Sequence, residues 1–237
     1  MAKRLLLLSN STNPGEPYLE YPKKSIINFL GNHIKRVLFI PYAGVTISYD
    51  DYTAKTREAF QKMGFDIQGI HEFGNPVEAI EKAEAIAVGG GNTFELLNQL
   101  YKNDLIEVIR TRVNEGLPYM GWSAGSNIAG PSIKTTNDMP IVEPESFDAL
   151  NLVPFQLNPH YTEGRIPNHG GESRPDRINE FIKLNSNVYV LGLPEGNLIE
   201  VNERQIKLVG KGKLKIFKSG IDVITAEAET DINFVMN

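Results

Sequence analysis

The stretch Tyr119-Met120-Gly121-Trp122-Ser123-Ala124-Gly125 constrains this chain more than any other. Residues 118–122 read as a short buried strand. Gly-x-Ser-x-Gly follows, and residues 126–129 can open a helix. This is the setting of a nucleophile elbow, in which small residues on both sides of the serine let the backbone bend sharply. The helix turns its unpaired N–H groups back toward the serine, which stabilises anionic charge there. A glycine-rich turn with a capping serine is the plainer alternative. A histidine and a carboxylate at the ends of later segments favour the chemical reading.

A chain of 237 residues can bury a full core, and one α/β domain over residues 1–237 is the natural expectation. The net charge of −5, with no Lys/Arg-rich stripe, argues against a nucleic-acid surface. The absence of cysteine excludes disulfides, thiolate zinc sites and a cysteine nucleophile. The first ten residues superficially resemble a signal peptide. Their apolar run is too short and no cleavage site follows, so they read as a first strand. No segment is long enough to span a bilayer. The expected location is the cytoplasm; the sequence is silent on oligomeric state.

Aliphatic strands at residues 4–8, 37–40, 65–70, 85–88 and 118–122 alternate with helices at 25–30, 50–63, 76–83, 93–100 and 104–115. That alternation predicts a mostly parallel sheet with helices on both faces. Right-handed crossovers then bring the strand-to-helix loops to one edge, where ligands bind. Ser9, the loop 89–92 and Ser123 should share that rim. Residues 130–172 carry six prolines and little periodicity, and read as a long functional loop region. Residues 174–184 return to helix. A strand at 188–193 ends in Pro194-Glu195-Gly196-Asn197, and the tail 198–201, 205–209 and 214–217 reads as short antiparallel strands.

A serine hydroxyl needs a base. His33 lies beside Lys35 and Arg36 and reads as solvated. His71 ends a strand on the rim, where packing or hydrogen bonding accounts for it. His169 sits among glycines with either reading open. His160 follows Asn158-Pro159 at a strand end and is the candidate base. Two carboxylates compete to orient it. Glu195 stands at the rim after an apolar strand, whereas Asp138 lies in the loop beyond the elbow helix, where an Asx turn would suit it equally. With Glu195 the order is Ser…His…acid. The α/β-hydrolase order is Ser…acid…His, so an ordinary lipase or esterase is demoted. Gly89-Gly90-Gly91 lacks the Gly-Lys-Ser/Thr of a P-loop and the spacing of a dinucleotide fingerprint. An oxyanion hole remains, pairing an N–H of Gly90 or Gly91 with that of Ala124.

Six motifs in order resemble the S51 serine peptidase family of α-aspartyl dipeptidases. They are Leu5-Leu-Leu-Leu-Ser-Asn-Ser-Thr12, Val88-Gly-Gly-Gly-Asn-Thr-Phe94, Gly121-Trp-Ser-Ala-Gly125, Thr135-Thr-Asn-Asp-Met-Pro-Ile141, Asn158-Pro-His160 and Gly192-Leu-Pro-Glu-Gly-Asn197. The resemblance covers most of the chain and is weakest in the C-terminal tail. It implies a fold similar to the class I glutamine amidotransferases, with serine in place of their cysteine. It also implies hydrolysis of dipeptides, and some tripeptides, with an N-terminal aspartate, without metal or cofactor. Ser123 takes the nucleophile position and His160 that of the base. The third position matches both Asp138 and Glu195, with Glu195 preferred as the partner of His160.

An N-terminal aspartyl residue brings an ammonium and a β-carboxylate, and a guanidinium pairs with the latter in a bidentate fork. Arg165, Arg174 and Arg177 are candidates, and the family resemblance points to Arg174, in Gly171-Glu172-Ser173-Arg174. Asn92 is a second expected substrate contact. Surface pairs such as Glu172–Arg174 or Asp176–Arg177, each worth at most about 1 kcal/mol, are the ordinary alternative. Pro175 biases Arg174 away from helical backbone. Rival functions are a cyanophycinase-like or isoaspartyl peptidase on the same scaffold, and a non-catalytic small-molecule sensor.

Overall fold

The computed structural model of the chain describes residues 2–164 and 170–237. Its centre is β1 (Arg4–Leu8), in which Leu5 to Leu8 are fully buried. Successive strand side chains face opposite ways. Leu5 and Leu7 therefore enter one core layer, and Leu6 and Leu8 the other. A strand apolar on both faces needs cover on both faces, which helices between parallel strands provide.

Those strands are β2 (Arg36–Ile40), β3 (Asp66–Gly69), β4 (Ile86–Val88) and β5 (Tyr119–Trp122), all parallel with β1. Between them run α1 (Lys23–Leu30), α2 (Tyr49–Gln61), α3 (Pro76–Glu81), α4 (Thr93–Lys102) and α5 (Leu105–Asn114). Local chemistry sets several starts. The Ser48 and Asn75 side chains accept from the first free N–H groups of α2 and α3, and Pro76 opens α3. The elbow helix α6 (Ala124–Asn127) is a single turn that starts two residues earlier than expected.

The later elements are β6 (Gln156–Pro159), α7 (Arg174–Leu184), β7 (Val190–Leu193), β8 (Leu198–Asn202), β9 (Gln205–Val209), β10 (Leu214–Phe217) and β11 (Ile224–Ala226). The antiparallel β8 and β9 extend the first sheet, in the order β3-β2-β4-β5-β1-β8-β9. The others form a second sheet, β11-β10-β7-β6, which the periodicity does not reveal. In it β6 and β7 are parallel, and β10 and β11 are antiparallel to their neighbours. α7 covers this sheet by packing Ile178 and Ile182 with Val190, Phe217 and Tyr161.

Residues 130–172 are not simply an open loop. Ile133, Leu150, Leu152, Val153 and Phe155 are buried in the main core. The carbonyls of this irregular backbone find donors elsewhere. Arg110 donates to Ala149 and Leu150, and Tyr101 to Asp148. Buried backbone without a ladder needs such partners.

Candidate active site

Ser123 follows β5 directly, with φ 53° and ψ −113°. An L-residue holds such a conformation only where its surroundings over-determine it. Here close packing does so. A Cβ on Gly121 would stand 2.2 Å from the Gly125 carbonyl oxygen, and one on Gly125 2.2 Å from that of Val88. The buried Tyr119 hydroxyl, its pKa raised by desolvation, donates to the Gly125 carbonyl at 2.6 Å. The Ser123 N–H donates to Leu8 of β1 at 3.1 Å. Ala124 opens α6, so its N–H has no acceptor within the helix.

The candidate base, His160, follows a strand of the second sheet. β6 and β7 pair with Pro159 opposite Leu193, so the residues just beyond both strands lie side by side. Ser9, at the end of β1, joins the sheets. Its buried hydroxyl donates to the Leu193 carbonyl at 2.8 Å and accepts from the His160 N–H at 2.9 Å. His160 also has a positive φ, 53°. Its Nδ1 lies 2.6 Å from Glu195 Oε1, and its Nε2 lies 2.8 Å from Ser123 Oγ. An ionised carboxylate only accepts, so the proton belongs on Nδ1. That leaves the Nε2 lone pair for the serine O–H. The Glu195 loop is tied down from both sides. Gly196 N–H donates to Asn10 Oδ1, and the Asn197 amide donates to the carbonyls of Pro194 and Glu195. The imidazole and carboxylate side chains are 37% and 51% exposed, so substrate and water reach them.

Asp138 is engaged elsewhere. Its Oδ2 accepts from the Thr93 N–H at 2.7 Å and the Thr93 hydroxyl at 2.5 Å, at the start of α4. The surrounding loop is sewn to β6. Asn158 donates to the Thr135 carbonyl and Asn137 Oδ1, and Asn137 donates to the Pro159 carbonyl. Asn92 caps α4 by accepting from Glu95 N–H, and its amide donates to the Met139 carbonyl, so the fold uses both ends of it. Gly90 and Gly91 lie beside Ser123 on the wall of a cleft of about 640 Å³, with His160 and Glu195 also lining it. Neither glycine N–H has a backbone or side-chain acceptor among the described residues.

Arg174 adopts helical backbone despite Pro175 and is the first residue of α7. A capping box between Ser173 and Asp176 offsets the proline's bias. One guanidinium nitrogen is buried without a hydrogen-bond partner among the described residues. Burial, then Arg177, lowers its pKa, while Asp138 and Glu195 oppose that shift. Arg174 is thus within electrostatic reach of both carboxylates, pairs with neither and does not line the cleft itself. The surface pair formed is Glu172–Arg177, at 4.0 Å, rather than either pair expected. Arg165 and His169 lie outside the described residues. His33 is exposed, and His71 pairs with Asp50 at 3.0 Å and packs on Tyr49. Sequence reasoning missed Tyr52 and Lys55, both on the cleft wall, because each reads as an ordinary position of an amphipathic helix. Among the described residues no group of three His, Cys, Asp or Glu side chains could hold a metal ion. None of their helices is long and apolar enough to cross a membrane.

A hydroxyl held against an imidazole, itself held by a carboxylate, can open an acyl bond by nucleophilic attack, the equipment of a serine hydrolase. Comparison with known proteins narrows this. The sequence model of peptidase family S51 matches residues 5–209. Peptidase E of Nostoc sp. is 53% identical over 220 residues, covering 93% of this chain and 91% of that protein. Peptidase E of Salmonella paratyphi A is 48% identical over 224 residues, covering 94% and 97%. The crystal structure of a peptidase from an acI-B1 actinobacterium shares the fold, with a TM-score of 0.71 at 19% identity, covering 98% of this chain and 97% of that one. This chain belongs to peptidase family S51. It is a serine-type dipeptidase.

Proposed function

We propose that the chain hydrolyses dipeptides, and some tripeptides, that begin with aspartate, through an acyl-enzyme on Ser123. The Ser123 oxygen attacks the aspartyl carbonyl while His160 Nε2 takes its proton. Glu195 holds the imidazole by Nδ1 and stabilises its charged form. Backbone N–H groups of Ala124 and of Gly90 or Gly91 receive the oxyanion. His160 then protonates the leaving amine, and a water it activates releases aspartate. Asp138 supports the site through α4 or meets the substrate ammonium, and Asn92 builds the cleft wall. Residues 1–237 act as one α/β peptidase domain, since both sheets contribute to this chemistry. We also infer a cytoplasmic location, which fractionation of the producing cells tests.

One observation carries the substrate choice: the buried Arg174 nitrogen with no hydrogen-bond partner among the described residues, its charge within electrostatic reach of Asp138 and Glu195. An unpaired buried guanidinium donor is costly, and a substrate carboxylate would satisfy it. A neutral side chain would leave it unpaired, so discrimination should be strong. The test is aspartate or leucine release from Asp-Leu, isoAsp-Leu, Asn-Leu and Leu-Leu. We expect Asp-Leu to be preferred by at least about 10³-fold, and Arg174→Gln to erase most of that preference. Equal cleavage of Asp-Leu and Leu-Leu refutes the arginine's role. Cleavage of isoAsp-Leu alone points to the β-linked hydrolase, and no turnover at all points to a binding protein.

A further inference from the structure

Tyr52 lies in α2, far from the serine in sequence, yet its hydroxyl meets the triglycine loop. It sits 3.0 Å from the Gly90 carbonyl oxygen and 3.0 Å from Trp122 Nε1. The direction of these bonds is forced. An indole N–H only donates, so the Tyr52 oxygen accepts from Trp122. The Gly90 carbonyl oxygen can only accept, so in that contact the tyrosine hydroxyl donates. Desolvation raises the Tyr52 pKa, so the hydroxyl keeps that proton. The ring itself is fixed, packed edge-on against Phe39 at 5.0 Å, while Trp122 stacks on the same Phe39 at 5.7 Å.

The bond matters because of what it grips. In a trans peptide the C=O and the next N–H point opposite ways. Anchoring the Gly90 carbonyl on the Tyr52 side turns the Gly91 N–H to the other side, where it has no acceptor among the described residues. A peptide flanked by two glycines has no Cβ to resist rotation of its plane. A flip would exchange that donor for a carbonyl oxygen on the cleft wall that Ser123 shares. Trp122 is also the residue immediately before Ser123, so the tyrosine ties the strand carrying the serine to the loop carrying the donor.

We propose that Tyr52 is a positioning residue that holds the Gly90–Gly91 peptide with the Gly91 N–H toward the oxyanion, Trp122 tethering the tyrosine oxygen. This rests on the serine mechanism proposed above, and it selects Gly91 over Gly90 as the loop's donor. An oxyanion donor is worth about 10²–10³-fold in turnover when deleted, and a misaligned one less. Tyr52→Phe is therefore expected to lower kcat about 10- to 100-fold with KM changed less than about threefold.

The deciding readout compares two probes in wild type and Tyr52→Phe. Aspartyl aldehyde (3-amino-4-oxobutanoic acid, which is aspartate with its α-carboxyl group reduced to the aldehyde and its β-carboxylate intact) forms a tetrahedral hemiacetal with the serine, whereas free aspartate does not. The aldehyde should lose affinity in proportion to kcat/KM, with aspartate affinity and the pH profile unchanged. Unchanged kcat, or equal losses for both probes, overturns the proposal. If Tyr52→Phe fails to unfold cooperatively, Trp122→Phe removes the donor to the tyrosine together with part of the buried ring stacked on Phe39. It should show the same selective loss, several-fold in size, and equal losses again overturn the proposal. Wild-type turnover of Asp-Leu, abolished in Ser123→Ala, is the control that separates failure of this role from failure of the serine mechanism.

Discussion

The two sheets hold their shares of the site by different means. The seven-stranded sheet supplies Ser123 and the triglycine loop, and it fixes the serine by backbone packing. β5 is buried along its length, and the glycines flanking Ser123 leave no room for a Cβ. The four-stranded sheet supplies His160 and Glu195, which are fixed by hydrogen bonds with the side chains of Ser9, Asn10 and Asn197 at strand ends of the first sheet. A serine wedged by sterics is rigid but tolerates no added atom. A histidine and a glutamate tied by polar side chains can lose one tie and keep the fold. Mutations on the two sides should therefore fail differently.

The largest effect is expected at the junction of the two. Ser123→Ala should cut kcat/KM for Asp-Leu by about 10⁵–10⁶-fold with an unchanged unfolding midpoint. Loss of less than tenfold would mean that the hydroxyl facing His160 is not the nucleophile. On the sterically held side, Gly125→Ala drives a methyl into the Val88 carbonyl and should cost about 3 kcal/mol in urea unfolding. Gly74→Ala, where a Cβ meets nothing within 4 Å, is the control and should stay within about 0.5 kcal/mol. Equal costs for the two would refute the packing account of the elbow. On the polar side, Ser9→Ala leaves the His160 N–H unpaired. It should cost about 1–3 kcal/mol and slow turnover about tenfold while the chain still folds. Unaltered kcat would show that Ser9 joins the sheets without aligning the base.

The same contrast decides what the sequence made legible. The first sheet was readable because its strands are apolar runs, such as Leu5 to Leu8, separated by helices with clear caps at Asn75 and Pro76. The glycines around Ser123 announced a sharp turn. The second sheet was hidden because β6, Gln-Leu-Asn-Pro, has neither alternation nor β-branched residues, and its pairing with β7 spans more than thirty residues. Asp138 and Glu195 could not be separated from the sequence, since both stand in polar loops near the rim. Only the register of Pro159 with Leu193 brings Glu195 beside the imidazole, while Thr93 engages Asp138. The buried segment within residues 130–172 reads as loop in the sequence because its apolar residues follow no period, although its carbonyls are met by Arg110 and Tyr101.

The central claim is that His160, carried by one sheet, is oriented by Glu195 to serve a serine carried by the other. The most direct test is kcat/KM for Asp-Leu in Glu195→Gln beside Asp138→Asn, each with its unfolding midpoint. An amide at position 195 can present a donor to Nδ1 and invert the tautomer, so Glu195→Gln should lose about 10³–10⁴-fold. Asp138→Asn should lose far less, about tenfold, because its contacts are with the start of α4. The reverse order, with Asp138→Asn the more damaging in two equally stable proteins, would contradict the account.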